Sequence, residues 1–195
     1  IHITTGPIFV LCWLMFSDGI EARWLAAAIP FLITIQFALI GLGIIKDEAS
    51  VQAMSRSGDR REILRGPLLY GIVFVVLTLI FWKNSPSGMT ALMLMCGGDG
   101  IADVVGRRVK SPKLPWSPDK SVAGLVSVLI GGFAMAIFIL WVYIAARVLP
   151  GPLSGYIVPV AILSLTAAAV ESLPFRDIDN LTVTVGVVLV GYLVF

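Results

Sequence analysis

Four apolar runs, residues 24–45, 63–82, 122–149 and 153–173, are each long enough to cross a bilayer as a helix, and that leaves this chain few folds to choose from. A spanning helix needs about 20 mostly apolar residues, because the hydrocarbon core is about 30 Å thick and each residue rises about 1.5 Å. Inside lipid the backbone N–H and C=O groups must be satisfied within the protein, which allows only helices or a closed barrel. Barrel strands alternate every second residue over segments of about 10 residues, and these runs are too long and too evenly apolar for that. Residues 3–16 and 181–195 are shorter runs of the same kind, and residues 89–105 form a seventh that carries two aspartates. The expected fold is therefore all-α: a polytopic integral membrane protein of about seven transmembrane helices, in one domain over residues 1–195. The chain begins at Ile1, with no methionine, so a fragment lacking its N-terminal segment is expected, with the first and last helices cut short.

Composition supports this class and excludes others. Hydrophobic residues make up 58% of the chain and charged residues 13%, against roughly 25% charged in soluble domains; mean hydropathy is +0.97. A net charge of +2, with no basic run interleaved with aromatics, gives no footing for nucleic acid. Cys12 and Cys96 both lie in apolar sequence, too few for a disulfide framework and without zinc-site spacing. His2 is the only histidine, so a serine–histidine triad or a histidine metal site has no support.

If all seven segments cross, residues 17–23, 83–87 and 150–152 share one side, and 46–62, 106–121 and 174–180 share the other. Arg23, Lys83 and Arg147 fall near the first side. Lys46, Arg56, Arg60, Arg61, Arg65, Arg107, Arg108, Lys110, Lys113, Lys120 and Arg176 fall near the second. The positive-inside tendency turns that second side toward the cytosol or its organellar equivalent. The polar motifs gather on the same side.

The first motif is Cys96-Gly-Gly-Asp-Gly-Ile-Ala-Asp-Val-Val-Gly-Arg-Arg108. Asp99 and Asp103 are four residues apart and share a helix face, with Arg107 one turn further on. Charge at membrane depth is costly and points by default to function. Paired carboxylates beside cations suit magnesium shared with substrate phosphates; an internal Asp–Arg lock between helices suits them equally. In the second motif, Lys113 to Gly124, prolines 112, 115 and 118 stop helix, and Asp119 or Ser121 can cap a helix starting near Val122. A helix N-terminus with Lys120 beside it attracts phosphate, and Gly124 allows close approach. The glycine pattern of a Walker A loop is absent, and a plain capped helix start with a juxtamembrane lysine has the same sequence.

The third motif is Glu171-Ser-Leu-Pro174 with Asp179-Asn180-Leu-Thr182. Helix capping would explain Asp179 and Asn180; Glu171 is not needed for capping, which leaves it as a base, a metal ligand or a partner for a basic residue. The fourth, residues 55–67, carries Arg60 and Arg61 in a stretch whose charges nearly cancel. It reads either as a solvated loop at lipid headgroups or as a contributor to nucleotide binding.

Taken together these residues resemble the polyprenol kinase family, and most closely its phytol and farnesol kinases of plants, algae and cyanobacteria. The resemblance runs in order over nearly the whole chain: Cys96 to Arg108, Lys113-Leu-Pro, Lys120-Ser-Val-Ala-Gly124, Glu171-Ser-Leu-Pro174, Asp179-Asn180-Leu-Thr and Ser57-Gly-Asp-Arg-Arg-Glu-Ile-Leu-Arg-Gly-Pro67. It departs at Val109-Lys110, where relatives have Phe-Gly, at Trp116 in place of tyrosine, and in a short link from Pro174 to Asn180.

The resemblance implies a membrane kinase of the plastid envelope that phosphorylates a free isoprenoid alcohol, with CTP as donor and Mg2+ as metal, salvaging phytol for tocopherol synthesis. On this expectation Asp99, Asp103 and Glu171 are catalytic, with Asp99 and Asp103 holding the metal. Arg107, Arg108, Lys113, Lys120, Ser121 and Gly124 bind nucleotide, and Asp179, Asn180, Arg60 and Arg61 complete the motifs. The partners are a prenyl alcohol, a nucleotide and the bilayer, with the motif face toward stroma or cytosol. Phytol is the expected alcohol, with farnesol or geranylgeraniol as alternatives. A CTP-dependent cytidylyltransferase is the other enzyme reading, and an ion-coupled transporter the reading from another class.

Overall fold

The computed structural model describes residues 2–195 apart from Arg56, Arg176 and Asp177; for His2, Asp99, Asp103 and Arg107 it describes the backbone alone. The chain is helical almost throughout. In order come α1 (His2–Cys12), a 3-10 turn (Trp13–Met15), α2 (Ile20–Leu42), α3 (Glu48–Met54), a second 3-10 turn (Arg60–Leu64) and α4 (Gly66–Ile80). Then follow α5 (Pro86–Met93), a π-helical turn (Leu94–Asp99), α6 (Gly100–Arg108), the strands β1 (Lys113–Leu114) and β2 (Ser117–Ser121), α7 (Val122–Ala145), α8 (Ser154–Glu171) and α9 (Asp179–Val194).

Among the described residues five segments are long and apolar enough to cross a membrane: Ile20–Leu42, Arg60–Ile80, Pro86–Gly106, Val122–Ala145 and Ser154–Glu171. The shorter apolar helices Ile3–Met15 and Asp179–Val194 match the two short runs at the chain ends. Several helices stop short of the expected bounds, whereas the central span, Pro86–Gly106, and α9 start earlier than expected. Residues 24–45 were expected to form one run, but α2 stops at Leu42 because Gly43 turns left-handed at φ 79°, which glycine does without strain. The segment 46–62, expected as a plain connection, contains α3, capped by Asp47, whose Oδ1 accepts from the Ser50 N–H at 3.0 Å.

The span Pro86–Gly106 is the axis of the bundle. Of its apolar window 69% is buried, against 28–33% in the other four spans, and Met89 and residues 91–96 are all but inaccessible. Its neighbours are α1, α4, α7, α8 and α9. A helix surrounded by protein does not need an apolar coat, which is why this span has the lowest hydropathy of the five, 1.3. Glycines allow close contact with α7: a Cβ placed on Gly132 would lie 2.7 Å from Leu94 Cδ2 and 3.5 Å from the Gly98 Cα. Small-residue contacts of this kind let membrane helices approach backbone to backbone.

The connections meet in two groups, as seven alternating segments require. At one end Lys83 Nζ donates to the Phe16 carbonyl (2.6 Å) and pairs with Asp18 (3.1 Å), and Arg23 Nη1 donates to the Leu79 carbonyl (3.1 Å). At the other end the start of α7, the end of α8 and the start of α9 come together through Lys120.

Candidate active site

Residues 113–121, expected as a proline-broken loop, form a small antiparallel hairpin with an irregular register, Lys113 opposite Ser121 and Leu114 opposite Ser117. The hairpin is tied across the C-terminus of α8. Trp116 Nε1 donates to the Ser172 carbonyl at 3.0 Å, and Lys120 Nζ donates to the carbonyl of Glu171 and to its Oε1, the latter at 2.8 Å. The Asp179 carboxylate is 3.9 Å from the same Nζ. Three chain segments thus converge on one ammonium group. The side chains are 20% (Lys120), 12% (Glu171) and 28% (Asp179) exposed, so water screens the charges only partly.

Helix starts follow the rules for capping in one case and not in the other. Ser121 caps α7, its Oγ accepting from the Gly124 N–H at 3.2 Å, and Ser111 Oγ accepts from the Ala123 N–H at 3.1 Å. Of the two candidate caps, Asp119 and Ser121, Ser121 takes the role. At α9 the N-cap position is Ile178, with no side-chain cap. Asp179 is instead the first residue of α9, its Oδ1 accepting from the Asn180 N–H at 3.2 Å while Oδ2 faces Lys120.

A small cavity beside the ion cluster is lined by Leu94, Met95, Val128, Glu171, Asp179, Asn180 and Val183. It brings the central span to the same place. The side chains of Asp99, Asp103 and Arg107 lie outside the described residues, but the backbone fixes their level. Against α7, Leu94 opposes Gly132, Gly98 opposes Val128 and Gly106 opposes Ser121. Against α9, Ser87 Oγ donates to the Gly191 carbonyl (3.2 Å) and Thr184 Oγ1 to Met95 Sδ (3.5 Å). The cavity puts Leu94 and Met95 beside Asn180, and Asp99 follows four residues after Met95 in the same span. The π-helical turn ends at Asp99; such turns widen the helix locally and recur at functional sites.

Other predicted residues have different neighbours. Lys113 Nζ donates to the Asp119 carbonyl within the hairpin (3.2 Å). Arg108 is exposed as the last residue of α6. The 3-10 turn carrying Arg60 and Arg61 packs on α2, α3 and α4, with the Arg60 guanidinium against Gly43 at the C-terminal end of α2, where a helix favours a cation. Sequence reasoning did not find the apolar lining residues, the second cap Ser111 or the Trp116 tether; an exposed tryptophan in a basic loop was the available sign of the last. Among the described residues no group of three or more His, Cys, Asp or Glu is arranged to hold a metal.

Comparison with known proteins gives the same direction. "Probable phytol kinase 2, chloroplastic" of Oryza sativa subsp. japonica is 44% identical over 200 residues, covering all of this chain and 64% of that protein. "Farnesol kinase, chloroplastic" and "Phytol kinase 1, chloroplastic" of Arabidopsis thaliana are each 39% identical over 197 residues, again with the whole chain covered and 64% and 65% of those proteins. The chain spans just under two-thirds of the length of these relatives. No family profile matches it, and no solved structure is similar.

Proposed function

We propose that this chain, homologous from end to end to proteins named phytol kinase and farnesol kinase, is the phosphoryl-transfer region of a membrane-embedded prenol kinase. The observation that carries the reading is the Lys120–Glu171–Asp179 cluster, in which one ammonium and two carboxylates meet where three apolar helices end. A soluble nucleotide and a lipid-dissolved alcohol can meet only at such a level.

Phosphoryl transfer depends mainly on placing the reactants and neutralising phosphate charge. Lys120, the positive end of the α7 dipole and the basic residues 107–108 supply positive potential for a triphosphate. Binding it requires Lys120 to exchange carboxylate for phosphate, which frees Glu171 or Asp179 to accept the hydroxyl proton. The alcohol oxygen then forms a bond to the γ-phosphorus, the bond from that phosphorus to the β,γ-bridging oxygen breaks, and the nucleoside diphosphate leaves.

Asp99 and Asp103 are the residues we assign to magnesium. Their donor chemistry fits a hard cation, and their place in the span whose Leu94 and Met95 line the cavity beside Asn180 supports it. When bound, magnesium would neutralise charge on the phosphates. The described part of the cluster also carries one carboxylate more than it has cations, an imbalance suited to a further cation. CTP as donor, phytol as acceptor and a plastid envelope membrane complete the proposal, with the motif face toward the stroma, as the distribution of lysine and arginine favours.

The decisive experiment incubates the purified protein in detergent with labelled CTP or ATP and prenols of several lengths, and identifies the products. Prenyl monophosphate with CDP is expected; pyrophosphate would establish a cytidylyltransferase instead. Asp99→Asn is expected to abolish transfer without preventing membrane insertion, and full activity in that variant removes the metal assignment.

A further inference from the structure

Two turns from the ion cluster, α7 and α8 diverge on their lipid side and leave an apolar groove lined by Leu129, Ile130, Phe133, Ala161, Ser164 and Leu165. It exists because α8 places two small residues, Ala161 and Ser164, opposite larger ones on α7. The one hydroxyl there is neutralised: Ser164 Oγ donates to the Val160 carbonyl at 2.8 Å within its own helix. Nothing in the groove can recognise a headgroup or a peptide backbone, and only hydrocarbon fits it. The groove and the cavity share no lining residue, but both are bounded by α7 and α8: Val128 and Glu171 line the cavity, Leu129 and Ser164 the groove. Ser164 and Glu171 are seven residues apart and so lie on one stripe of α8.

Resting on the prenol-kinase reading, we infer that this groove holds the distal part of the isoprenoid tail and sets the chain length the enzyme accepts. Ser164 lies about 10 Å and Ala161 about 15 Å along α8 from Glu171, at about 1.5 Å per residue. An extended isoprene unit spans about 5 Å, from ordinary carbon–carbon bond lengths. With the hydroxyl at Glu171, the first two units of the alcohol end before the groove. The third unit lies over Ser164 and the fourth passes Ala161. A C10 alcohol does not enter, a C15 alcohol fills the near part, and a C20 alcohol uses the whole groove.

Ala161→Phe fills the far end from the lipid side, where no packed neighbour must move aside. Its activity toward C20 alcohol should fall about tenfold or more relative to C10, with C15 between, since a pocket discriminates by roughly that much for a few carbons. An equal loss at all lengths, or none, overturns the inference. If the unaltered protein phosphorylates no prenol at all, the kinase reading fails by itself. A second measurement is independent of turnover: a C20 alcohol with a diazirine at its far end, in phosphatidylcholine vesicles. Labelling at residues 129–133 and 161–165, displaced by unlabelled C20 alcohol, is expected. Labelling spread over the lipid-facing side of α2, or not displaced, overturns the groove as the tail's site.

Discussion

Lys83 and Lys120 stand at opposite ends of the bundle, and each donates to a backbone carbonyl and to a carboxylate. Around Lys83 the charges balance, and its partner Asp18 is 88% exposed, so water screens that pair heavily. The carbonyl of Phe16 is the firmer contact, and it fastens the end of the first 3-10 turn to the connection after α4. Around Lys120 two carboxylates compete for one ammonium, both of them part-buried. One lysine closes a joint; the other, among the described residues, faces two carboxylates. The difference shows that a juxtamembrane lysine is read by what surrounds it, since the sequence around each is simply an apolar run, a charge and a proline.

The sharpest test of that contrast is a pair of truncations. Lys120→Ala should lower transfer by a factor on the order of 10²–10³, as removing a preorganised charge-stabilising donor does, and should raise the KM for nucleotide. Lys83→Ala should leave kcat/KM close to unaltered and lower thermal stability in detergent by about 1–3 kcal/mol, the penalty for a buried carbonyl left without its donor. Nucleotide kinetics and melting curves on both variants separate the two. Should Lys83→Ala damage catalysis and Lys120→Ala only stability, the roles assigned here are reversed.

What could be read from the chain beforehand follows the same division between local and non-local causes. The spans were legible because hydropathy is summed over about 20 residues, and the two-sided arrangement because charge accumulates in the connections. Glu171 stood out as an acid with no capping duty, and Lys120 as a cation at a helix start. That the two touch was not legible: 51 residues separate them, and only the antiparallel packing of α7 on α8 brings them together. The hairpin was hidden for the same reason. Lys113-Leu114 is a two-residue strand beside prolines, with no alternating pattern, and it is held by bonds to α8 rather than by its own propensity. The π-helical turn was not foreseen from the sequence either.

That glycine contact distinguishes the central span from the lipid-facing helices and can be tested at intermediate cost. Gly132→Leu would drive a side chain into Leu94 and toward the Gly98 backbone. Overpacking of this kind costs about 1–3 kcal/mol, and here it would also displace the span that carries Asp99 from its seat on α7, so stability and activity should fall together. Gly155→Leu, where a Cβ meets nothing within 4 Å, is the matched control and should change neither beyond a few tenths of a kcal/mol. Equal behaviour of the two would mean that the close approach of α7 to the central span does not hold in the bilayer.

The smallest expected effect concerns the tether that holds the hairpin on the Lys120 side. Trp116→Phe keeps an aromatic ring at the membrane boundary but removes the donor to the Ser172 carbonyl. A net loss of about 0.5–1.5 kcal/mol is the usual value of one such bond, and the exposed position of Trp116 puts it at the lower end, because water can replace the donor. The bond's second consequence is positional. Trp116 and Lys120 belong to one hairpin and grip successive carbonyls of α8, so loosening one allows the other to shift. Trp116→Phe should therefore raise the KM for nucleotide a few-fold while kcat stays near its original value, and Trp116→Tyr, whose hydroxyl offers a donor further out, should recover part of the difference. At the other end Trp82 Nε1 and Lys83 Nζ donate to the successive carbonyls of Ser17 and Phe16 and are untouched by this substitution, so hydrogen exchange should speed up at residues 113–121 in Trp116→Phe and stay as it was at residues 13–18. If exchange is unaltered at the hairpin, Lys120 is held by its carboxylates alone and Trp116 is only a membrane-boundary aromatic.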